Sequence, residues 1–320
     1  MKKFLKKILL GITLPQEYLC VSIDEYKHPL RIFAMSGVNK HGEDISEKQL
    51  LVGYKPLLIG IPENYLTDDY AAEHRVISLL FKTDALESIA SLEVKLIKEV
   101  KLNSISIFLF EGLKGIQSFT NPIHRISNNL HYVMTSDKKK NIFLEGNLYK
   151  QVKIAYSVPR KIYLASVGTG GLFNIFPTDL SGLIGENNFI ISLRSTGKVC
   201  KQVEQAGKCL VAQMDSGSYK EVYKLGKNHM RELSNVNSFE ISLRDERSEK
   251  LNLPVPLKAI MYYELEKIDK SEIGIHTIHF LKVINKVKLS ESNSVLAHIH
   301  RDVAEWRLRN GIDTNYLLRN

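Results

Sequence analysis

The chain has 320 residues, 44% hydrophobic and 25% charged, which fits a folded protein of two domains and excludes a disordered or fibrous one. The net charge of +9 is spread over both halves and gathers in no patch or stripe, which argues against a nucleic-acid partner. No stretch reaches the length of a membrane span, and the sparse cysteines (Cys20, Cys200, Cys209) have no C-x-x-C spacing, as expected of reduced thiols in a cytoplasm.

In chain order, Met1–Leu10 has a basic start, an apolar run broken by Lys6 and Lys7, and no small-residue cleavage site. It reads as a frayed amphipathic helix and not as a signal peptide. Glu17–Ile23, Leu30–Met35 and Leu57–Ile61 read as strands. Asp68–Phe81, with Val76, Leu79 and Leu80, reads as a helix. So does Ala85–Val100, whose apolar positions Leu86, Ile89, Leu92, Val94, Leu96, Ile97 and Val100 lie nearer the helical period than strict alternation. Ser104–Phe110 is β-type throughout. Shorter strands are expected at His131–Thr135 and Asn141–Leu144, with Lys138-Lys139-Lys140 as a solvated hairpin turn between them.

From about Val152 the pattern sharpens. Lys161–Val167, Leu172–Leu180, Asn188–Leu193 and Cys209–Met214 are apolar β-type runs. The first two are joined by a glycine turn at Gly168, Gly170 and Gly171, which links strands and is therefore no dinucleotide loop. The polar loop Arg194-Ser195-Thr196-Gly197-Lys198 follows the third run. A short helix, Val199–Ala206, comes next and stops at Gly207. Cys209, in an apolar strand, is expected to be buried, and Cys200, on the short helix, nearer the surface. Tyr219–Asn252 is mixed and charged. Leu257–Lys267 and Ile275–Leu289 read as strands, and Ser292–Leu308 as a terminal helix with Val295, Leu296, Ile299, Val303 and Trp306 on one face, stopped at Asn310-Gly311.

Three pieces in this order carry a resemblance: Asn174-Ile175-Phe176-Pro177-Thr178-Asp179-Leu180, then Ile190–Thr196 ending in Arg-Ser-Thr, then Gly274-Ile275-His276-Thr277-Ile278-His279-Phe280. Together they make about Val152–Leu289 resemble the flavin-reductase-like family. The sequence departs from that family at Asn187-Asn188, where a Pro-Pro pair is common, and at Leu281-Lys282, where Gly-Glu is common. The resemblance implies a mainly β fold with α (α+β): an FMN-binding split β-barrel in residues 151–320, with the C-terminal helix. Residues 1–150 form an α+β N-terminal domain of unassigned role. Its order of strands and helix repeats that of the second half, so it reads as a degenerate split-barrel copy lacking the Arg-Ser-Thr loop.

FMN needs donors and positive charge for its phosphate, a flat slot for its ring and hydrogen bonds for its pyrimidine edge. Arg194, Ser195, Thr196 and Lys198 offer two cations and two hydroxyls before a helix N-terminus, which favours anions. The same residues would serve as a capped surface loop. By the resemblance Asn174, Phe176, Pro177, Thr178, Asp179 and Leu180 lie along the ring, although the Pro-Thr-Asp step also suits a plain turn. Asp179 could instead cap a turn or pair with Arg194. The family's strand histidine falls on His276, near where a nicotinamide would stack. His279, three residues on, points to the other face. No His, Cys or carboxylate cluster has metal-ligand spacing.

The resemblance implies a cytoplasmic flavoprotein, an oxidoreductase passing electrons from NAD(P)H through FMN. Flavin and nicotinamide are its small-molecule partners, with no nucleic acid and no membrane. A flavin-binding protein without turnover, or a barrel that has lost its cofactor, are the alternatives. It further implies a homodimer, with the Val295–Trp306 stripe either at the contact or covering its own barrel.

Overall fold

The computed structural model describes residues 18–35, 42–66, 76–102, 105–121, 123, 127, 144, 146–312 and 317–318. The expectations for Met1–Leu10, His131–Thr135 and Lys138–Lys140, and for most of Asn141–Leu144, lie outside the described residues.

Eight strands come first: β1 (Tyr18–Ser22), β2 (Arg31–Met35), β3 (Glu43–Asp44), β4 (Leu50–Tyr54), β5 (Leu57–Pro62), β6 (Val76–Lys82), β7 (Ser88–Lys101) and β8 (Ser106–Gln117). Helix α1 (Asn147–Ala155) follows, then β9 (Arg160–Lys161), β10 (Tyr163–Thr169), β11 (Leu172–Thr178), β12 (Ser181–Ile184) and β13 (Asn188–Arg194). Next come α2 (Lys198–Ala206), β14 (Lys208–Met214), α3 (Tyr219–Lys224), β15 (Ala259–Ile273), β16 (His276–Lys288), β17 (Leu296–His300), α4 (Arg301–Arg309) and β18 (Leu317–Leu318). The fold is mostly β with some helix, and its antiparallel sheets are not closed.

Two sheets of seven strands dominate, ordered β3-β2-β6-β7-β8-β5-β4 and β11-β10-β14-β15-β16-β13-β12. Numbered from the first strand of each, both run 2-1-5-6-7-4-3. A third sheet, β18-β1-β17-β9, joins the two ends of the chain.

Three readings need correction. Of the expected helix Asp68–Phe81, residues 68–75 lie outside the described residues and the rest belongs to strand Val76–Lys82, whose residues alternate between buried and less buried; most of the expected helix Ala85–Val100 is the 14-residue strand β7. The ladder to β8 shifts twice: between Glu93 and Val94 the extra residue is Leu113 of β8, and between Leu96 and Lys98 it is Ile97 of β7. Leu92, Val94 and Leu96 alternate onto the first core, and past the bulge at Ile97 the residue Val100 faces the layer between the sheets, so Leu96, Ile97 and Val100 fall near a helical period although the backbone is extended. The expected helix Ser292–Leu308 begins as strand β17 and becomes helical only at Arg301, because β17 pairs with β1 from the far end of the chain. Its apolar stripe covers its own chain: Leu296 and Val303 are fully buried and Trp306 packs on the first core.

The second half follows its pattern closely. Gly170 and Gly171, both at positive φ, close the β10–β11 hairpin as L-residues rarely can. Helix α2 ends on Gly207 in the left-handed conformation, whose N–H donates to the Val203 carbonyl. The apolar side chains Val199 and Val203 of α2 cap a core that also contains Phe176, Phe189, Ile191 and Leu265. Cys200 is 5% exposed, contrary to expectation, because its side chain faces this core and not solvent. The first sheet has its own core, filled by Phe81, Phe110 and, from α1, Val152 and Ile154. Between the two sheets lies a further apolar layer with Val52, Leu58, Ile107 and Leu109 from one side and Ile190, Ile278 and Phe280 from the other.

Candidate functional site

Strand β13 delivers Arg194 to the surface at its C-terminal end. The next residues turn sharply, with the Gly197 N–H donating to the Arg194 carbonyl at 2.9 Å. Gly197 is the N-cap of α2, and no side chain caps that helix. The first-turn N–H groups are therefore left for solvent or for an anion. The loop is pinned to β16 and the residue before it, by the Ser195 N–H on the Ile275 carbonyl (2.9 Å) and by the Ser195 and Thr277 hydroxyls (2.9 Å). Thr196 stays exposed.

Arg194 is oriented by the other half of the molecule. Its Nε donates to the hydroxyl of Tyr54, at the end of β4, and its guanidinium carbon lies 5.6 Å from the Tyr54 ring centre. Lys198, the other expected cation, pairs with Glu232 at 2.6 Å.

His276 sits opposite Arg194 in the β13–β16 ladder and is 1% exposed. Its Nε2 accepts from the Tyr54 backbone N–H at 3.4 Å, and its Nδ1 donates to the Ser192 hydroxyl at 3.5 Å. The Tyr54 ring meets it edge-on, with centres 4.5 Å apart. Burial first, and then the charge of Arg194, push its pKa down to about 4, so it is neutral near pH 7. His279 points the other way, with Cys200 and Glu204 beside it.

The expected ring-side segment divides. Asn174 and Phe176 are fully buried: the Asn174 amide donates to Gln202 (2.8 Å) and to the Asn228 carbonyl (3.1 Å), and Phe176 packs in the core under α2. Thr178 and Leu180 are also buried, and the Leu180 carbonyl accepts from the Ser192 N–H at 2.8 Å. Pro177 and Asp179 are partly open. The Pro177 carbonyl accepts from His229 Nε2 at 2.8 Å. Asp179 does not pair with Arg194. Its carboxylate accepts from the Tyr156 hydroxyl (2.5 Å) and from His298 Nε2 (2.7 Å). Burial would raise its pKa, but the charge and hydrogen bond of His298 and the Tyr156 hydroxyl outweigh that and bring it to about 2.

Asp179, Arg194 and His276 nevertheless form one electrostatic group. The charges of Asp179 and Arg194 act together on Tyr54, His229 and His276. Tyr54, His229, Tyr156 and His298 escaped the reading of the sequence. Each comes from a segment remote from the strand it serves, and no motif marks any of them. Among the described residues no His, Cys, Asp and Glu group could hold a metal ion, and no helix is long and apolar enough to cross a membrane.

These residues fit FMN at its phosphate end, where exposed Arg194 and Thr196 stand beside an uncapped helix start. Pro177, Asp179, Tyr54 and His229 are partly open, while Asn174 and Phe176 are buried in the interior and offer a ligand nothing.

No protein-family model and no curated protein matches the sequence. Among solved structures the chain is similar to an FMN-binding protein from Thermus thermophilus with bound p-hydroxybenzaldehyde. The identity is 18% and the TM-score 0.37, over 42% of this chain and 74% of that one. It is similar to the NADH:FAD oxidoreductase SgcE6 of Streptomyces globisporus C-1027, at 12% identity and a TM-score of 0.42, over 50% of this chain and 93% of that one. It is also similar to the flavin reductase PheA2 in its native state, at 11% identity and a TM-score of 0.37, over 43% of this chain and 86% of that one.

Proposed function

We propose that residues 151–320 bind FMN and that the chain is a flavin-reductase-like oxidoreductase drawing electrons from NAD(P)H. The observation that carries this reading is the end of β13: an exposed guanidinium, two hydroxyl residues and a helix start that no side chain caps. Arg194 and Thr196 hold the phosphate with the first-turn N–H groups of α2. Pro177, Asp179 and Tyr54 border the ring. Bound FMN would supply the hydride chemistry, and the protein's part is to place and tune it. Tyr54 fixes the direction of Arg194. His276, neutral and bonded through both ring nitrogens, holds β16 against Tyr54, so its contribution is to position the wall of the site.

That placement of His276 favours a second reading, in which the protein binds flavin without turning over NAD(P)H. The test has two stages. FMN and riboflavin affinities are measured by fluorescence for the wild type, Arg194→Ala and Lys198→Ala. Arg194→Ala is expected to lose about 1.5–3 kcal/mol of FMN binding, the cost of a charge-assisted hydrogen bond, or roughly ten- to a hundredfold, with little change for riboflavin, which has no phosphate. Equal losses for both ligands would mean damage to the barrel, and no loss in either variant would move the phosphate elsewhere. NADH and NADPH oxidation with added flavin then separates the two readings.

A further inference from the structure

We infer that this single chain contains both members of a two-fold pair: the first sheet occupies the place of a second subunit, completes the flavin site through Tyr54, and has lost the equivalent site of its own.

The argument begins with register. Both sheets have the strand order 2-1-5-6-7-4-3, and the agreement extends to single residues. In β7–β8 the ladder shifts between Glu93 and Val94 and between Leu96 and Lys98. In β15–β16 it shifts between Glu264 and Leu265 and between Lys267 and Asp269, a constant displacement of 171 residues (93 to 264, 98 to 269). The opposing strands agree as well: Val94 faces Gly112 and Leu265 faces Val283, while Leu96 faces Phe110 and Lys267 faces Leu281. A further irregularity, between Phe81 and Lys82 on β6, recurs between Gln213 and Met214 on β14. Bulges re-aim strands at defined places. Their coincidence at matching positions marks two copies of one framework.

The copies meet as a two-fold pair does. In an isologous contact a patch meets itself, so equivalent residues lie together. The ladder puts Leu50 of β4 opposite Gly60 and Gly182 of β12 opposite Ile190, so Leu50 and Gly182 are counterparts, and they touch. A Cβ on Gly182 would lie 2.5 Å from Leu50 Cδ2. The layer between the sheets holds further counterparts on its two sides, Ile107 with Ile278 and Leu109 with Phe280. The surface on which two chains would pair is thus already covered within one.

The two strand-end sites have diverged. Counting along matched ladders, Asn64 stands where Arg194 stands, and Leu66, buried, where Thr196 is exposed. Tyr54 reaches across to Arg194, whereas its counterpart in the second half is Gly185, with no side chain to reach back. One site keeps the cation and its aromatic partner, and the other has neither.

For its ligand this inference rests on the FMN reading, and the test keeps the two apart. Sedimentation at micromolar concentration is expected to give one chain, 36.4 kDa; a mass of two chains would overturn the in-chain pair. FMN titration is expected to saturate at one FMN per chain, and two would overturn the loss of the second site. Tyr54→Ala is expected to weaken FMN about three- to tenfold, the scale of one lost aromatic contact, and Tyr54→Phe less. An unchanged affinity in Tyr54→Ala would remove Tyr54 from the site. Absence of any FMN binding with a one-chain mass would overturn the ligand and the Tyr54 assignment, and leave the paired framework standing.

Discussion

At the end of β5 the chain runs into Glu63-Asn64-Tyr65 and a single 3-10 turn. At the end of β13, the matching place in the second sheet, it runs into Arg194-Ser195-Thr196 and a two-turn helix. The two sheets share their strand order and the bulges of their central strands, while the shift between Leu51 and Gly53 of β4 has no counterpart in β12, and few of their residues are the same. The difference separates what burial enforces from what it leaves free. A bulge or an inward-facing residue is held by the packing around it, and changing either disturbs every neighbour. A strand end faces water, so its chemistry can be kept in one copy and dropped from the other without cost to the fold.

Acid should divide the halves most strongly. His276 and His279 are pushed down to about 4, and His300 to about 3, chiefly by burial. A histidine with a depressed folded pKa is neutral in the native state while the unfolded chain takes up a proton below the ordinary 6.5. Stability is therefore fully present above pH 6.5 and is lost as pH falls towards 4. With three such groups the slope is at most about 4 kcal/mol per pH unit. Urea unfolding between pH 7 and 4.5 checks the slope. Hydrogen exchange at pH 5 should show the second sheet loosening first, because the one described histidine of the first half, His28, is exposed.

The layer between the sheets gives the next largest effect. Phe280→Ala should cost about 3–5 kcal/mol and its counterpart Leu109→Ala about 2–5 kcal/mol. Both should move a single urea transition if the halves stand or fall together; two separated transitions would show that they do not. The smallest effect belongs to Lys198. Its side chain is 42% exposed and that of Glu232 74%, so Lys198→Ala should change stability by no more than about 1 kcal/mol, measured by the same urea midpoint. A larger loss would mean that the ion pair braces the loop.

Much of the second half was legible because local and tertiary preferences agree there. The β10–β11 hairpin has its glycines where the turn needs positive φ, and α2 has both its apolar stripe and its Gly207 stop. The first half misled at β7 for a physical reason: the bulge at Ile97 switches the strand from one core to the other, so Leu92 and Val94 face the first core, Val100 faces the layer between the sheets, and Ile97 is left exposed. The apolar residues then fall at a spacing that mimics a helix. At the site, Arg194 and Asp179 could be named because a strand–loop–helix order surrounds them. Tyr54 and His298 could not. They act through partners 140 and 119 residues away, and nothing in their own neighbourhoods requires it.

The third sheet has a consequence for how the chain is made. Cys20 of β1 is paired with His298 of β17, so β1 leaves the ribosome long before its partner exists. At about 5–20 residues per second, the intervening roughly 280 residues take on the order of 15–60 s to synthesise. Throughout that interval β1 offers an unpaired edge, a template on which another nascent chain could dock. The outer face of β8, with Ile107 and Leu109, waits in the same way for Ile278 and Phe280. Synthesis halted before β16 would therefore leave β1 an open strand and the Ile107 and Leu109 face uncovered: a product suited to chaperone capture or aggregation.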